Sequence, residues 1–197
     1  MSNWTCRLTL AGEARFAGAV TQETAWLIIL LEARMASSLE VRMYISVIGA
    51  GECASELEEA AFEVGSLIAK RGHVLVCGGL GGVMDAAARG ASVAGGMVIG
   101  ILPDEDRRRA SRWLTVSIPT GMGQARNALV AGSGDAVIAV GGGYGTLSEI
   151  GFALKLGKPV IGLKTWELDG RGARPGGMLK ASSPRDAVDM AEQHLAL

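Results

Sequence analysis

The sequence has no surplus of either charge: 19 Lys and Arg stand against 20 Asp and Glu, a formal net charge of −1. Without a basic excess it lacks the electrostatic footprint of a general nucleic-acid binder, and no nucleic-acid partner is expected. Its three cysteines, Cys6, Cys53 and Cys77, are an odd number with no metal-type spacing. That argues against a metal site and points to a reducing compartment, the cytoplasm. Cys77 ends an apolar run and is expected to pack in the core. Long apolar runs are missing too. Trp26 to Leu31 is the strongest run before residue 42 and is too short to span a bilayer, so no membrane association is expected. Glu13 and Glu23 interrupt what would be the positive flank of a signal peptide. No G-x-x-x-x-G-K-[ST] run occurs, so a P-loop ATPase is unsupported.

Glycine is what the chain has in excess. The 29 glycines in 197 residues are about twice the usual share of roughly 7%. They cluster at the ends of apolar runs. The stretch Asp135 to Gly157 shows the pattern most fully. Ala136 to Val140 is an unbroken apolar run that suits a strand covered on both faces. Gly141, Gly142 and Gly143 follow, and then a helical pattern from Thr146 to Leu156, with Leu147, Ile150, Ala153 and Leu154 on one face. A glycine loop feeding a helix N-terminus offers free N–H groups and a positive dipole end, a ready phosphate site. Glu149 lies one turn into that helix.

The same alternation runs from Tyr44 onward. Strands are expected at Tyr44–Ile48, His73–Cys77, Val98–Leu102, Leu114–Ile118, Ala136–Val140 and Pro159–Leu163. Helices are expected at Ser55–Arg71, with Ser55 and Glu58 spaced as a capping box, at Val83–Ala94 and at Met122–Ala131. A last helix starts with Ser183 as N-cap and Pro184 at the first position and runs to about His194. Strands alternating with helices predict an α/β fold: one doubly wound, Rossmann-like domain over residues 42–197, its sheet mostly parallel with helices on both faces. Residues 1–41 do not resemble the rest. They are expected as an N-terminal extension, loosely ordered or helical, with Met43 the alternative natural start.

Ligands in such folds bind beyond the carboxyl ends of the strands, where all the glycine loops fall. Gly49-Ala50-Gly51-Glu52-Cys53-Ala54 fits the loose fingerprint G-x-G-x-x-G/A, a weak signal alone. The second strand ends Val76-Cys77-Gly78-Gly79, without the acidic residue that would hold a dinucleotide's ribose. Gly78, Gly79, Gly81 and Gly82 exceed what a turn needs and suggest close backbone approach to a ligand, with Met84 following. Arg126 is either a solvated helical arginine or, given its guanidinium fork and the preceding Gly121 and Gly123, a phosphate or carboxylate contact. Glu149 faces the ligand or, in Thr146-Leu147-Ser148-Glu149, closes a capping box on Thr146. Asp104 to Arg112 is a charged loop that is either solvated or a rim over the pocket.

Gly78-Gly79-x-Gly-Gly-Val-Met, Gly95-Gly96-Met97-Val98-Ile99-Gly100-Ile101-Leu102-Pro103, Arg126 and Gly142-Gly143-Tyr144-Gly145-Thr146-x-x-Glu149 occur in that order. Together they resemble the LOG (Lonely Guy) superfamily of Rossmann-like proteins, also written SLOG and once mislabelled lysine decarboxylases. The resemblance implies a nucleoside 5′-monophosphate ligand, with Gly142, Gly143, Tyr144, Gly145 and Thr146 at its phosphate. It implies Arg126 and Glu149 as the catalytic pair of a phosphoribohydrolase that cleaves the N-glycosidic bond. No cofactor is required for that chemistry. Two departures stand out. Gly141 replaces the proline usual before the motif, and Asn127 follows Arg126 where the enzymes carry lysine. Both resemble the branch of molybdenum-cofactor carrier proteins, in which the same loops would hold the phosphate of a molybdopterin-type ligand without chemistry. No lysine lies in a glycine loop, so the pyridoxal-phosphate chemistry of a decarboxylase is not expected. The resemblance also implies a homodimer or higher homo-oligomer.

Overall fold

The computed structural model of the protein describes residues 42–168 and 177–194. The expectation of an N-terminal extension over residues 1–41 lies outside the described residues. Seven strands form one sheet: β1 (Tyr44–Gly49), β2 (Val74–Cys77), β3 (Val98–Leu102), β4 (Val116–Pro119), β5 (Ala136–Val140), β6 (Val160–Leu163) and β7 (Leu179–Lys180). Their order is β4-β3-β2-β1-β5-β6-β7, and every neighbouring pair is parallel. The helices are α1 (Ser55–Lys70), α2 (Val83–Val93), α3 (Asn127–Ser133), α4 (Tyr144–Lys155) and α5 (Pro184–Gln193). The α/β, Rossmann-like, doubly wound architecture is as expected.

A parallel sheet covered on both faces needs strands that are apolar at every position, and β5 is buried at all five. Because successive side chains alternate, residue parity divides the strand between two cores. Ala136, Ile138 and Val140 join the core under α1, α2 and α5, with Ile45, Val47, Val64 and Val188. Val137 and Ala139 join the opposite core with Val130, Ile150 and Ala153 from α3 and α4. On the first face, α1 and α2 meet backbone to backbone. A Cβ on Gly65 would lie 2.0 Å from the Ala87 carbonyl oxygen, and one on Gly90 would lie 2.0 Å from that of Phe62.

The chain winds outward through β1, β2, β3 and β4, then returns to place β5 on the other side of β1. The carboxyl ends of β1 and β5, paired through Gly49 and Val140, are therefore the switch point at which such sheets open a crevice.

Several local expectations are corrected. The Ser55–Glu58 capping box does not form: Ser55 is already the first helical residue, and Ala54 caps with no side-chain bond. The expected Met122–Ala131 helix is split into a 3-10 turn, Gly123–Arg126, followed by α3. Gly123 at φ 53° cannot take the interior backbone of an α-helix, so it stands at the start of the turn. The fourth strand is shifted to Val116–Pro119, and β7, two residues long, had no sequence pattern. The Ser183 cap forms as expected, its hydroxyl accepting from the Asp186 N–H at 3.2 Å.

Candidate anion-binding site

The 3-10 turn delivers Arg126 into the protein rather than along a solvated helix face. Only 5% of the residue is exposed. Its guanidinium fills the space that a side chain on residue 78 would occupy: a Cβ there would lie 2.1 Å from Arg126 Nη1 and 2.6 Å from Met84 Sδ. Gly78 is thus a requirement of the buried arginine. Arg126 Nε and Nη1 have no hydrogen-bond partner among the described residues. Buried polar groups are normally satisfied, and a charged donor left unpaired costs more than a neutral one. Two N–H donors left unpaired on a guanidinium inside the protein can serve an oxyanion acceptor.

Glu149 faces the guanidinium. Its Oε1 is 3.8 Å from Arg126 Nη1, within ion-pair range and beyond hydrogen-bond reach. The reading of Glu149 as a capping-box carboxylate is overturned. Helix α4 begins at Tyr144 with Gly143 as its N-cap, and no side chain caps it. Thr146 is the third residue of that helix, so Glu149 points from the helix body, 6% exposed. Burial pushes its carboxyl up to about 7, and Arg126 only partly restrains the rise. Burial likewise lowers the Arg126 guanidinium, with Glu149 acting the other way. Cys77, fully buried nearby and pushed up to about 11 by desolvation, stays a thiol. Its place in the core is as expected.

The loop before α4 is held from two sides. Gly142, at φ 120°, packs against the Thr146 side chain, which a Cβ would approach to 2.5 Å. On one side the segment after β6 covers the loop. Thr165 Oγ1 donates to the Gly141 carbonyl, and Trp166 Nε1 donates to that of Gly143 at 3.3 Å. On the other side Asn127 Nδ2 donates to Ser148 Oγ at 3.1 Å, and Ser148 Oγ donates to the Gly145 carbonyl at 2.7 Å. Gly143 has nothing within 4 Å of where a Cβ would stand, so its backbone is open to a ligand. Tyr144 beside it is 84% exposed, its ring 6.1 Å from that of Trp166.

The structure therefore brings Gly78, Met84, Arg126 and Glu149 into one cluster and sets Gly142, Gly143, Tyr144, Gly145 and Thr146 in the loop and first turn that lead to Glu149. The other predicted glycines divide. Gly51 faces open space. Gly49 is wedged against the Val140 carbonyl and Val83, Gly79 against Leu102, and Gly82 against the Ala50 carbonyl, while Gly81 lies beside the Gly51 carbonyl. Those contacts are close packing among the loops, strand ends and helix start. Sequence reading missed Trp166 and the bonding role of Asn127. The tryptophan follows a strand by three residues without a motif, and the asparagine stood out only as a departure.

Two open grooves lie along the Asp104–Arg112 loop. One of about 690 Å³ is lined by Pro103, Asp104, Glu105, Arg108, Gly121 and neighbours. The other, about 510 Å³, is lined by Leu80, Gly81, Asp85, Arg89, Arg112, Trp113 and neighbours. The Asp104–Arg112 loop borders both, and neither is lined by Arg126, Glu149 or the Gly142–Thr146 segment. Among the described residues no group of three or more His, Cys, Asp or Glu could hold a metal ion. No described helix is long and apolar enough to cross a membrane.

The chain is 35% identical to a cytokinin riboside 5′-monophosphate phosphoribohydrolase of Mycobacterium tuberculosis, over 64% of this chain and 72% of that one. An uncharacterized protein of Archaeoglobus fulgidus is 54% identical over 62% of this chain and 80% of its own. Among solved structures, the molybdenum cofactor binding protein of Rippkaea orientalis superposes with a TM-score of 0.74 at 37% identity, covering 79% of this chain and 99% of that one. The molybdenum cofactor carrier protein of Chlamydomonas reinhardtii gives 0.69 at 35% identity, again over 79% and 99%. Residues 42–188 match the model of the SLOG cluster4 family, and the chain belongs to that family.

Proposed function

We propose that this protein binds the phosphate of a nucleotide-like ligand, a nucleoside 5′-monophosphate or a pterin-type cofactor, and acts as a carrier-like binding protein. The observation that carries the reading is the buried Arg126 guanidinium with Nε and Nη1 unpartnered, facing Glu149 of the helix that the open glycine loop leads into. A phosphomonoester would supply oxygen acceptors for both the guanidinium and the loop N–H groups. The likeness to molybdenum cofactor binding and carrier proteins suggests the pterin form of that ligand, carried as cargo. In this reading Glu149 holds the arginine edge in place.

A second reading has its own observation. A carboxyl raised to about 7 can exist in both protonation states near neutrality, which suits a group that orients water or steadies developing positive charge. In a phosphoribohydrolase, water would add at C1′ as the bond to the base nitrogen breaks, releasing base and ribose 5-phosphate. Glu149 would stabilise the oxocarbenium-like transition state, with Arg126 positioning both the ligand and the carboxylate.

Base release from a panel of nucleoside 5′-monophosphates, with Glu149→Gln as control, separates the two. The binding reading expects saturable binding of a nucleotide or pterin phosphate and no release. Release by the parent and not by the variant would overturn it in favour of the hydrolase.

A further inference from the structure

The groove of about 510 Å³ beside the Gly78–Gly82 loop is lined by three guanidinium-bearing residues, Arg89, Arg109 and Arg112, and one acid, Asp85. The acid is already engaged, its Oδ1 accepting from Ser111 Oγ at 2.6 Å. Arg109 has a distant partner, Asp104, at 3.8 Å. Neither Arg89 nor Arg112 forms a salt bridge among the described residues. Both lie over aromatic rings: Arg112 Cζ is 4.6 Å from the centre of the Trp113 ring, and Arg89 Cζ is 5.2 Å from that of Phe62. Stacking fixes the plane of a guanidinium and leaves its N–H edge free, so less rotamer entropy is lost when that edge takes up an oxyanion.

The groove's position matters as much as its charge. Gly78 abuts the Arg126 guanidinium, while Leu80 and Gly81 of the same loop form the groove wall. Three residue steps take the chain from Gly78 to Gly81, at most about 11 Å between their Cα atoms even if fully extended. The wall of the charged groove and the glycine that accommodates the buried arginine therefore belong to one short loop.

We infer that the groove of Arg89, Arg109 and Arg112 binds a second phosphate, and that the ligand is a nucleotide carrying two phosphate groups. This rests on the reading of Arg126 as the site of the first phosphate. The ligand class is thereby extended from the single phosphomonoester of that reading to nucleotides with a second phosphate group, bisphosphates and diphosphates.

The test is equilibrium binding at about 0.15 M salt, where long-range charge effects are screened beyond roughly 8 Å. The probes are adenosine 5′-monophosphate, adenosine 5′-diphosphate, adenosine 3′,5′-bisphosphate and inorganic pyrophosphate. The parent is compared with Arg89→Ala/Arg112→Ala and with Arg89→Gln/Arg112→Gln, exposed changes whose folding is checked by unchanged melting. At least one doubly phosphorylated nucleotide is expected to bind the parent about tenfold tighter than the monophosphate. Both variants should bring that ratio to about one and leave monophosphate affinity unchanged. Equal affinities in the parent, or variants that weaken all nucleotides alike, would overturn the proposal. If no nucleotide binds, saturable pyrophosphate binding that the variants abolish keeps the groove and removes only the reading of Arg126. Absence of pyrophosphate binding as well removes both.

Discussion

Arg126 and Glu149 face each other at 3.8 Å without a hydrogen bond, and both are nearly free of solvent. The carboxyl of Glu149 is raised from the usual 4.5 to about 7, so the folded protein keeps a proton that the unfolded chain gives up. The sign follows directly. Glu149 supports folding fully below pH 4.5, that support fades as pH rises, and it is gone above about pH 7. Glu149→Gln removes the titration. The melting temperature of the parent should therefore fall relative to the variant between pH 4.5 and about 7, with a constant gap at higher pH. Parallel melting profiles across that range would show that the carboxyl is not held up by burial. At this scale the sequence pointed to both residues and hid their setting. Thr146-Leu147-Ser148-Glu149 has the spacing of a cap, but the helix starts two residues earlier at Tyr144, because Gly143 takes the N-cap position. The burial of Arg126 depends on the missing side chain of Gly78, 48 positions away, and no local pattern records such a pairing.

Between elements, the closest approach is that of α1 and α2 through Gly65 and Gly90. Helix propensity alone predicts that alanine at position 65 would stabilise the protein by about 1 kcal/mol. Packing predicts the reverse. The added Cβ would stand 2.0 Å from the Ala87 carbonyl oxygen, a backbone atom that cannot swing aside. Overpacking of this kind costs about 1–3 kcal/mol, so Gly65→Ala should be net destabilising in chemical denaturation. A more stable variant would mean that the two helices slide apart at little cost. Most elements could be read from sequence because short unbroken apolar runs ending near glycine mark strands covered on both sides. The segment from Gly121 to Ser133 could not, since its apolar spacing suits a helix while Gly123 adopts a backbone that breaks one. Residues Arg71, His73, Asp189 and Glu192 were equally unreadable as a group. Arg71 bridges both acids, and His73 Nε2 meets Glu192 Oε1 at 2.8 Å, tying α1 and β2 to α5 across more than a hundred residues.

On the scale of the molecule, the sheet has two wings that diverge from the seam between β1 and β5. The β2–β3 wing carries the Gly78–Gly82 loop and the arginine groove. The β5–β6 wing carries the glycine loop, Glu149 and the Trp166 strap. The alternation of apolar runs with glycine loops made that plan visible from the sequence. The strand order was not visible, because nothing local specifies that β5 returns to the far side of β1.

Arg126 belongs to the one connection that leaves the outer strand β4 and comes back to the seam. Severing the chain in the exposed run Arg107 to Arg109, upstream of that connection, would leave β1, β2 and β3 in one fragment and β4, Arg126, the glycine loop and Glu149 in the other. Gly78 and Met84 would then be parted from the guanidinium they accommodate. Neither fragment would hold a whole site, and reassembly would have to restore both the β3–β4 and β1–β5 seams. Co-expressed halves should recover phosphate binding together and show none alone, so the protein could report, through its ligand, on the meeting of two polypeptides.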